Sequence, residues 1–341
     1  MNKKLIAVAV AAAFAAPSAF AASHGGSTTT LYGKMHMTIM NDGSADMMAV
    51  TSNASRLGVK GSEALGNGLK AIFKLEYGVN PDENNGINSG RNAYLGLQGD
   101  FGTFLIGRHD TPAKVAFYAA GNDHLGDSIA DLNGAQGFAE IRIDNAIAYV
   151  SPSMSGFKAA VALVPGEKGG NTNGNASAGT ADSLADAYSF GLMYSGNGLK
   201  AGLGYLNAED YFAATDATLW NVGASYKMGD ATIGVQYQNQ DMGADQTDVI
   251  AVIGKYKFGS NAVIANYGKM EREIGAASTD ANTFAIALQH SMSKRTSVYV
   301  AYANGDGAGL TSTFEGNIGA TTSSGRTTND SDFALGMIHN F

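Results

Sequence analysis

The sequence predicts an all-β protein: a transmembrane antiparallel β-barrel of about 16 strands, with short turns at one end and long loops at the other. Three observations predict it. An export leader is followed by no further apolar run long enough for a membrane helix. Apolar and polar residues alternate with period two through most of the chain. Turns fall into a short and a long class that follow one another along the sequence.

The leader spans Met1 to Ala21. Lys3 and Lys4 precede an apolar run from Leu5 to Ala16, then Pro17 and a small-residue Ala19-Phe20-Ala21 site, the composition of a secretory signal peptide cut after Ala21. The expected organisation is a signal peptide at 1–21 and a single barrel domain at 22–341. The apolar run is shorter than the roughly 20 residues that cross a bilayer as a helix. After Ala22 none approaches that length, which excludes helical spanning. Of the 341 residues 45% are hydrophobic, yet mean hydropathy is only -0.07, so apolar residues are finely interspersed with polar ones. Charged residues make up 15%, against roughly 25% in soluble domains; something other than water is expected to face part of the surface.

Without the leader, 20 basic and 30 acidic residues remain, a formal charge of -10. A polyanion is repelled by such a chain, so nucleic acid is not an expected partner. The absence of cysteine excludes a disulfide framework and thiolate metal sites. Stability must then come from closed backbone pairing.

Alternation begins at Thr28 and runs in segments bounded by Gly, Asn and Asp. Leu69, Ala71, Phe73, Leu75 and Tyr77 oppose Lys70, Lys74 and Glu76; Phe157, Ala159, Val161 and Leu163 oppose Lys158. Tyr188, Phe190, Leu192 and Tyr194 oppose Ser189 and Gly191, and Trp220, Val222, Ala224 and Tyr226 oppose Asn221, Ser225 and Lys227. Only Val249 to Phe258 reads in either phase. Tyr77, Tyr194, Tyr205, Tyr226 and Tyr267 end apolar phases, where an apolar ring with a polar tip suits a bilayer interface.

Short turns are expected at Ala64–Gly68, Gly99–Gly102, Pro152–Gly156, Gly196–Gly198, Gly229–Asp230, Gly259–Asn261 and Ser293–Thr296. Long loops are expected at Gly78–Gly90, Asp110–Glu140, Pro165–Ser183, Glu209–Asp216, Asp241–Gln246, Met270–Asp280 and Asn304–Asp330, besides an early one near Asp42–Asn53. This is the pattern of a bacterial outer-membrane barrel with short periplasmic turns.

Lys34, Arg56, Arg108 and Arg142 fall on the polar faces of four strands. Ile141 and Ile143 beside Arg142 are read as lipid-facing, which turns the guanidinium inward; facing hydrocarbon would cost roughly 2 to 4 kcal/mol. Asp110 to Glu140 is too long for an idle connection and carries Asp123, Asp127 and Asp131. Folded into the barrel, it would set these carboxylates against the basic wall and create a transverse field that favours polar solutes over apolar ones of equal size.

These residues sit in stretches that resemble the Gram-negative general porin family, nearest its neisserial and proteobacterial branch. The stretches are Leu31-Tyr32-Gly33-Lys34, Ser55-Arg56-Leu57-Gly58-Val59-Lys60-Gly61, Gly107-Arg108, and Arg142 followed by Asn145-Ala146-Ile147-Ala148-Tyr149 and Ser151-Pro152. Ser293-Lys294-Arg295-Thr296, Tyr299 and the final His339-Asn340-Phe341 add to them. The last strand, with Phe333, Leu335, Met337, His339 and Phe341 on one face, looks like the C-terminal signature read by the barrel-assembly machinery. The resemblance implies a homotrimer of sixteen-stranded barrels in the outer membrane, in contact with its lipid and lipopolysaccharide, with the third loop folded into each pore and Gly78–Gly90 as a latch between subunits. It implies Lys34, Arg56, Arg108 and Arg142 as a basic pore wall and places Asp123, Asp127 and Asp131 in the constriction loop. The expected function is passive diffusion of small hydrophilic solutes and ions, with no cofactor.

Three other readings compete. A barrel-borne enzyme would need a nucleophile with an oriented base. No Gly-x-Ser-x-Gly elbow or His-Glu-x-x-His pair is present, none of His24, His36, His109, His124, His290 and His339 sits in a motif, and no catalytic residue is assigned. The Glu271 and Glu273 pair beside Arg272 could hold calcium but reads more simply as loop solvation. An adhesin or receptor would use its loops, yet Gly170–Thr180 and Gly316–Thr328 are low-complexity. A sugar- or anion-selective pore is the nearest rival; the large aromatics, which a sugar path would need inside, lie mostly on the lipid phase.

Overall fold

The computed structural model describes residues 25–42, 47–84, 86–165, 184–212, 215–306 and 331–341. The expected signal peptide and the stretches 170–180 and 316–328 lie outside the described residues. The strands are β1 Gly25–Asp42, β2 Met47–Ser52, β3 Arg56–Gly66, β4 Leu69–Val79, β5 Ile87–Gly99, β6 Gly102–Asp110, β7 Arg142–Val150, β8 Phe157–Val164 and β9 Ala187–Gly196. They continue as β10 Leu199–Phe212, β11 Thr215–Met228, β12 Ala231–Asp241, β13 Asp245–Phe258, β14 Asn261–Ile274, β15 Ala277–Ser291, β16 Thr296–Asp306 and β17 Ser331–Asn340. Two helices, α1 Pro112–Ala119 and α2 Leu132–Gln136, lie between β6 and β7.

From β3 onward each strand pairs antiparallel with its sequence neighbour, and β17 returns to β1, with Lys34 opposite Asn340 and Asn41 opposite Phe333. Gly33 and Phe341 then exchange backbone hydrogen bonds of 3.0 and 3.1 Å, so the last residue helps to close the ring. β2 and β3 lie end to end along β1 and form one stave, interrupted where the Ser55 hydroxyl accepts from the His36 amide. The result is a closed barrel of sixteen staves with no free edge, the closure a membrane demands of a sheet.

The sheet is inside out relative to a soluble domain. On β12, Ile233 and Val235 are 53% and 44% exposed while Gln236 and Gln238 are 0%. An unbroken exposed apolar face of this kind is costly in water and favourable in hydrocarbon. Among the described residues no helix is long and apolar enough to cross a membrane; strands make the crossing. Asn67-Gly68 and Asn197-Gly198 turn tightly with φ of 48° and 78°, and 51° and 81°, the left-handed pair that matches the twist of a two-residue hairpin.

Several long loops are shorter than the sequence reading expects. β12 and β13 are joined across 242–244, β14 and β15 across 275–276, and β10 and β11 pair up to Phe212 opposite Thr215. Strands here run past the apolar band, held by their backbone ladder and by cross-strand pairs such as Arg272 Nη2 on Asp245 Oδ2 at 2.7 Å. With polar residues on both faces the period of two disappears from the sequence, though the pairing does not.

Ile141 and Ile143 do not face lipid. Both are 2% exposed and pack with Leu105, Ala113, Leu206 and Leu219 on the inner side. Gly107 at φ 131° and Asn145 at φ 56° mark a register shift between β6 and β7; the extra residue of such a bulge reverses the alternation beyond it. The ambiguous β13 resolves the same way: Val249, Ala251 and Ile253 point inward against Phe117, Leu132 and Phe138.

Candidate pore-lining site

The segment 111–141 lies against the inner wall, and both partners are shaped for the contact. The Thr111 hydroxyl accepts from the Lys114 amide at 3.1 Å and Pro112 follows it, a cap and a preset φ that start α1. α1 buries Pro112, Ala113, Ala116 and Phe117 on a track of glycines. A Cβ on Gly202 would stand 1.9 Å from the Ala116 carbonyl oxygen, one on Gly191 2.4 Å from that of Pro112, and one on Gly204 2.6 Å from the Ala113 Cα. Only glycine lets the two backbones approach so closely.

Polar side chains of the wall satisfy the backbone of the segment. Ser225 Oγ donates to the Ala120 carbonyl at 2.6 Å, Asn266 Nδ2 to Ala130 at 2.7 Å and Gln240 Nε2 to Gly137 at 3.0 Å. Gln238 accepts from the Ala139 amide and donates to the Ala139 carbonyl at 2.6 and 3.1 Å. In return, Asn122 Nδ2 donates to Val235 O at 2.8 Å. Buried loop amides and carbonyls need such partners. The Gln236-x-Gln238-x-Gln240 run was the readable sign of this inner face, and the sequence reading passed over it.

The charged residues form three groups. In the first, Lys34 Nζ meets Asp127 Oδ2 at 2.8 Å, with Arg56 and Arg91 close enough to act on that carboxylate. Burial alone would raise the Asp127 carboxyl, but Lys34 outweighs it and holds the group below its ordinary range. Arg56 has no ion pair among the described residues. Arg91 was missed in the sequence because it adjoins the expected loop Gly78–Gly90; its Nε meets Glu76 Oε1 at 2.8 Å. Glu76 also binds Lys74 Nζ at 3.1 Å and accepts from the Tyr32 hydroxyl at 2.8 Å.

The second group ties down the root of the segment. Arg142 Nη2 meets Asp110 Oδ1 at 2.9 Å and its Nε donates to Asn92 at 3.1 Å; Lys114 bridges Asp110 and Glu140 at 3.4 and 3.1 Å. Arg108 is not brought to Lys34. It stands opposite Ala93, in the phase of the exposed Ile106, and pairs with Asp144 at 2.6 Å.

The third group is acidic. Asp131 caps α2, its Oδ1 accepting from the Asn133 amide at 3.2 Å, and is only 6% exposed. Burial, then the charges of Glu140 and Asp127, push Asp123 up to about 7, and burial with Asp123 and Glu140 also raises Asp131. A carboxyl raised by folding stabilises the folded form at low pH, and that contribution is lost as pH rises through its folded value. The segment is therefore expected to be held more tightly at pH 5 than at pH 8. Proteolysis of 111–141 across that range measures this, and Asp123→Asn should flatten the profile.

A closed barrel with a lipid-facing apolar band, a polar interior and a charged inner segment defines an outer-membrane channel. A sequence model of the family described as Gram-negative porin matches residues 7–310, and the chain belongs to that family. It is 30% identical over 329 residues to outer membrane porin protein 32 of Delftia acidovorans, covering 88% of each chain. Major outer membrane protein P.IB of Neisseria lactamica is 26% identical, over 94% of this chain and 98% of that one. The solved anion-selective porin from Comamonas acidovorans superposes with a TM-score of 0.72 at 25% identity, over 93% and 100%. The chain is thus an outer-membrane diffusion porin, a conduit for small hydrophilic solutes.

Proposed function

We propose that the aperture is set between the segment 111–141 and a basic wall of Lys34, Arg56 and Arg91, and that the pore is a general one favouring anions. The observation that carries this reading is an imbalance of charge. Asp127 is neutralised by Lys34 and Asp131 is buried as a cap, whereas Arg56 has no ion pair among the described residues and Lys60 stands over the Tyr32 ring at 5.0 Å. The formal charge of -10 resides largely elsewhere and is screened beyond about 10 Å at 0.1 M salt. Arg142 anchors the segment on this reading, and Arg108 lies outside the aperture. Transport is passive, with no catalytic step. The pore works as a homotrimer, as the family resemblance implies; Asp82, in the expected latch loop, accepts from the Ser52 amide of its own chain at 2.8 Å.

A sugar path would use the inward tyrosines. Tyr299, however, is 4% exposed and bonded to His36 at 2.8 Å, and Tyr32 is engaged by Lys60, Lys74 and Glu76, so neither is free to join an aromatic file. Liposome swelling tests the general reading. Uptake should fall smoothly with solute size across sugars and amino acids; saturation with one sugar at low concentration would overturn it.

A further inference from the structure

At the end with short turns the inner wall carries a group of charges with no part in the aperture. Lys158, Lys200, Lys227 and Lys257 each stand two residues from a turn glycine, and Lys255 two further up its strand. Pairing fixes their direction. Lys255 lies opposite the buried Ile264, Lys257 opposite Ala262, Lys200 opposite Ser225 and Lys158 opposite Met193, all inner-face residues. Lys227 and Lys255 both flank Thr232 from adjoining strands, Lys200 lies opposite Ser225 two residues from Lys227, and Lys158 lies across β9 from Gly202, so the five share the turn end of β8, β10, β11 and β13. None of them has an ion pair among the described residues. At the opposite end of β12 and β13 stand Asp241 and Asp245, the latter paired with Arg272 of β14.

His124, on the underside of the inner segment, registers the local field. Burial first, then the charges of Lys255, Lys200 and Lys257, push it down to about 4, so it is neutral at neutral pH and offers the lysines no competing charge. The Lys200 side chain also rises to within 2.9 Å of where a Gly121 Cβ would be, which carries the patch up to the segment.

We propose that these five lysines form an anion-collecting site at the periplasmic mouth, taking small multivalent oxyanions of the phosphate class, in series with the arginine side above it. It rests on the pore reading only in needing an open lumen. One ammonium at roughly 6 Å in water enriches a monovalent anion about threefold and a divalent one about tenfold, so a cluster discriminates by valence. Screening confines the effect to the mouth. The site makes the channel asymmetric along its axis, with unpaired cations at the turn end and Asp245 neutralised by Arg272 at the loop end.

The test uses channels inserted from one side of a planar bilayer in potassium chloride, with inorganic phosphate added to each chamber in turn. Phosphate on the turn side should reduce the chloride current at several-fold lower concentration than on the loop side. The triple variant Lys200→Gln, Lys227→Gln, Lys255→Gln should keep its stepwise openings and lose this asymmetry, while the corresponding Lys→Arg triple retains it. Equal block from both sides, or full asymmetry in the Gln triple, overturns the proposal. Either result would be read on a channel that conducts, and so leaves the pore reading standing.

Discussion

Replacing Arg56 and Arg91 together by glutamine is expected to shift the permeability ratio of chloride to potassium by about tenfold toward potassium. Each charge at roughly 6 Å in water is worth about 0.7 kcal/mol to a passing ion, with opposite sign for the two ions, and screening trims the sum. Glu76, which loses Arg91, stays held by Lys74 and Tyr32, so the change in the wall is that of the two arginine charges. Reversal potentials in a salt gradient read the change directly. The double change Arg108→Gln, Arg142→Gln, two of the four basic residues that the sequence assigns to the wall, should act differently. Arg108 lies in the phase of the exposed Ile106 and is already paired with Asp144, and loss of Arg142 strips Asp110 of one of its two cations. Its main effect should be a looser segment and noisier openings, with a smaller shift of selectivity.

Gly202→Leu should release the inner segment from the wall while leaving the barrel intact. The new Cβ would collide with the carbonyl of Ala116, a backbone atom in α1 that cannot swing aside as a side chain would. The strand itself keeps its ladder, since leucine is at ease in extended backbone. The expected result is a larger, noisier conductance, entry of sugars that the parent excludes and rapid proteolysis within 111–141. Gly254→Ala serves as the control, since a Cβ there meets nothing within 4 Å. A Gly202→Leu channel with parental conductance and parental protease resistance would show that the segment is not held by this contact.

The barrel was legible because the bilayer imposes a period of two on every stave, and residues such as Phe73, Val161 and Trp220 report it without help from tertiary structure. What lay above the apolar band was not. Around Thr247, Glu271 and Arg272 both faces are polar, so paired strand and loop read alike. The inner face misled for the opposite reason. Where the segment covers it, Ile143 and Leu219 in one buried cluster and Val249 in another pack inward, and apolar residues no longer mean lipid. Lys34 could be named because it lies in a readable stretch and Asp127 only because it falls in a connection too long to be idle; which carboxylate meets which cation depends on a turn whose geometry follows from Gly126 and a left-handed Asp127. Asp131 carried a local sign, an acidic residue just before a short helix, that competed with its reading as a pore charge. Between Arg108 and Arg142 the register shifts at Gly107 and Asn145, which no pattern of polarity reveals.

Single-channel recording in planar bilayers bears most directly on the account. A folded preparation should produce large stepwise openings at low voltage, with a current that rises in proportion to salt concentration. A preparation that is folded and inserted yet leaves the membrane electrically silent would contradict it.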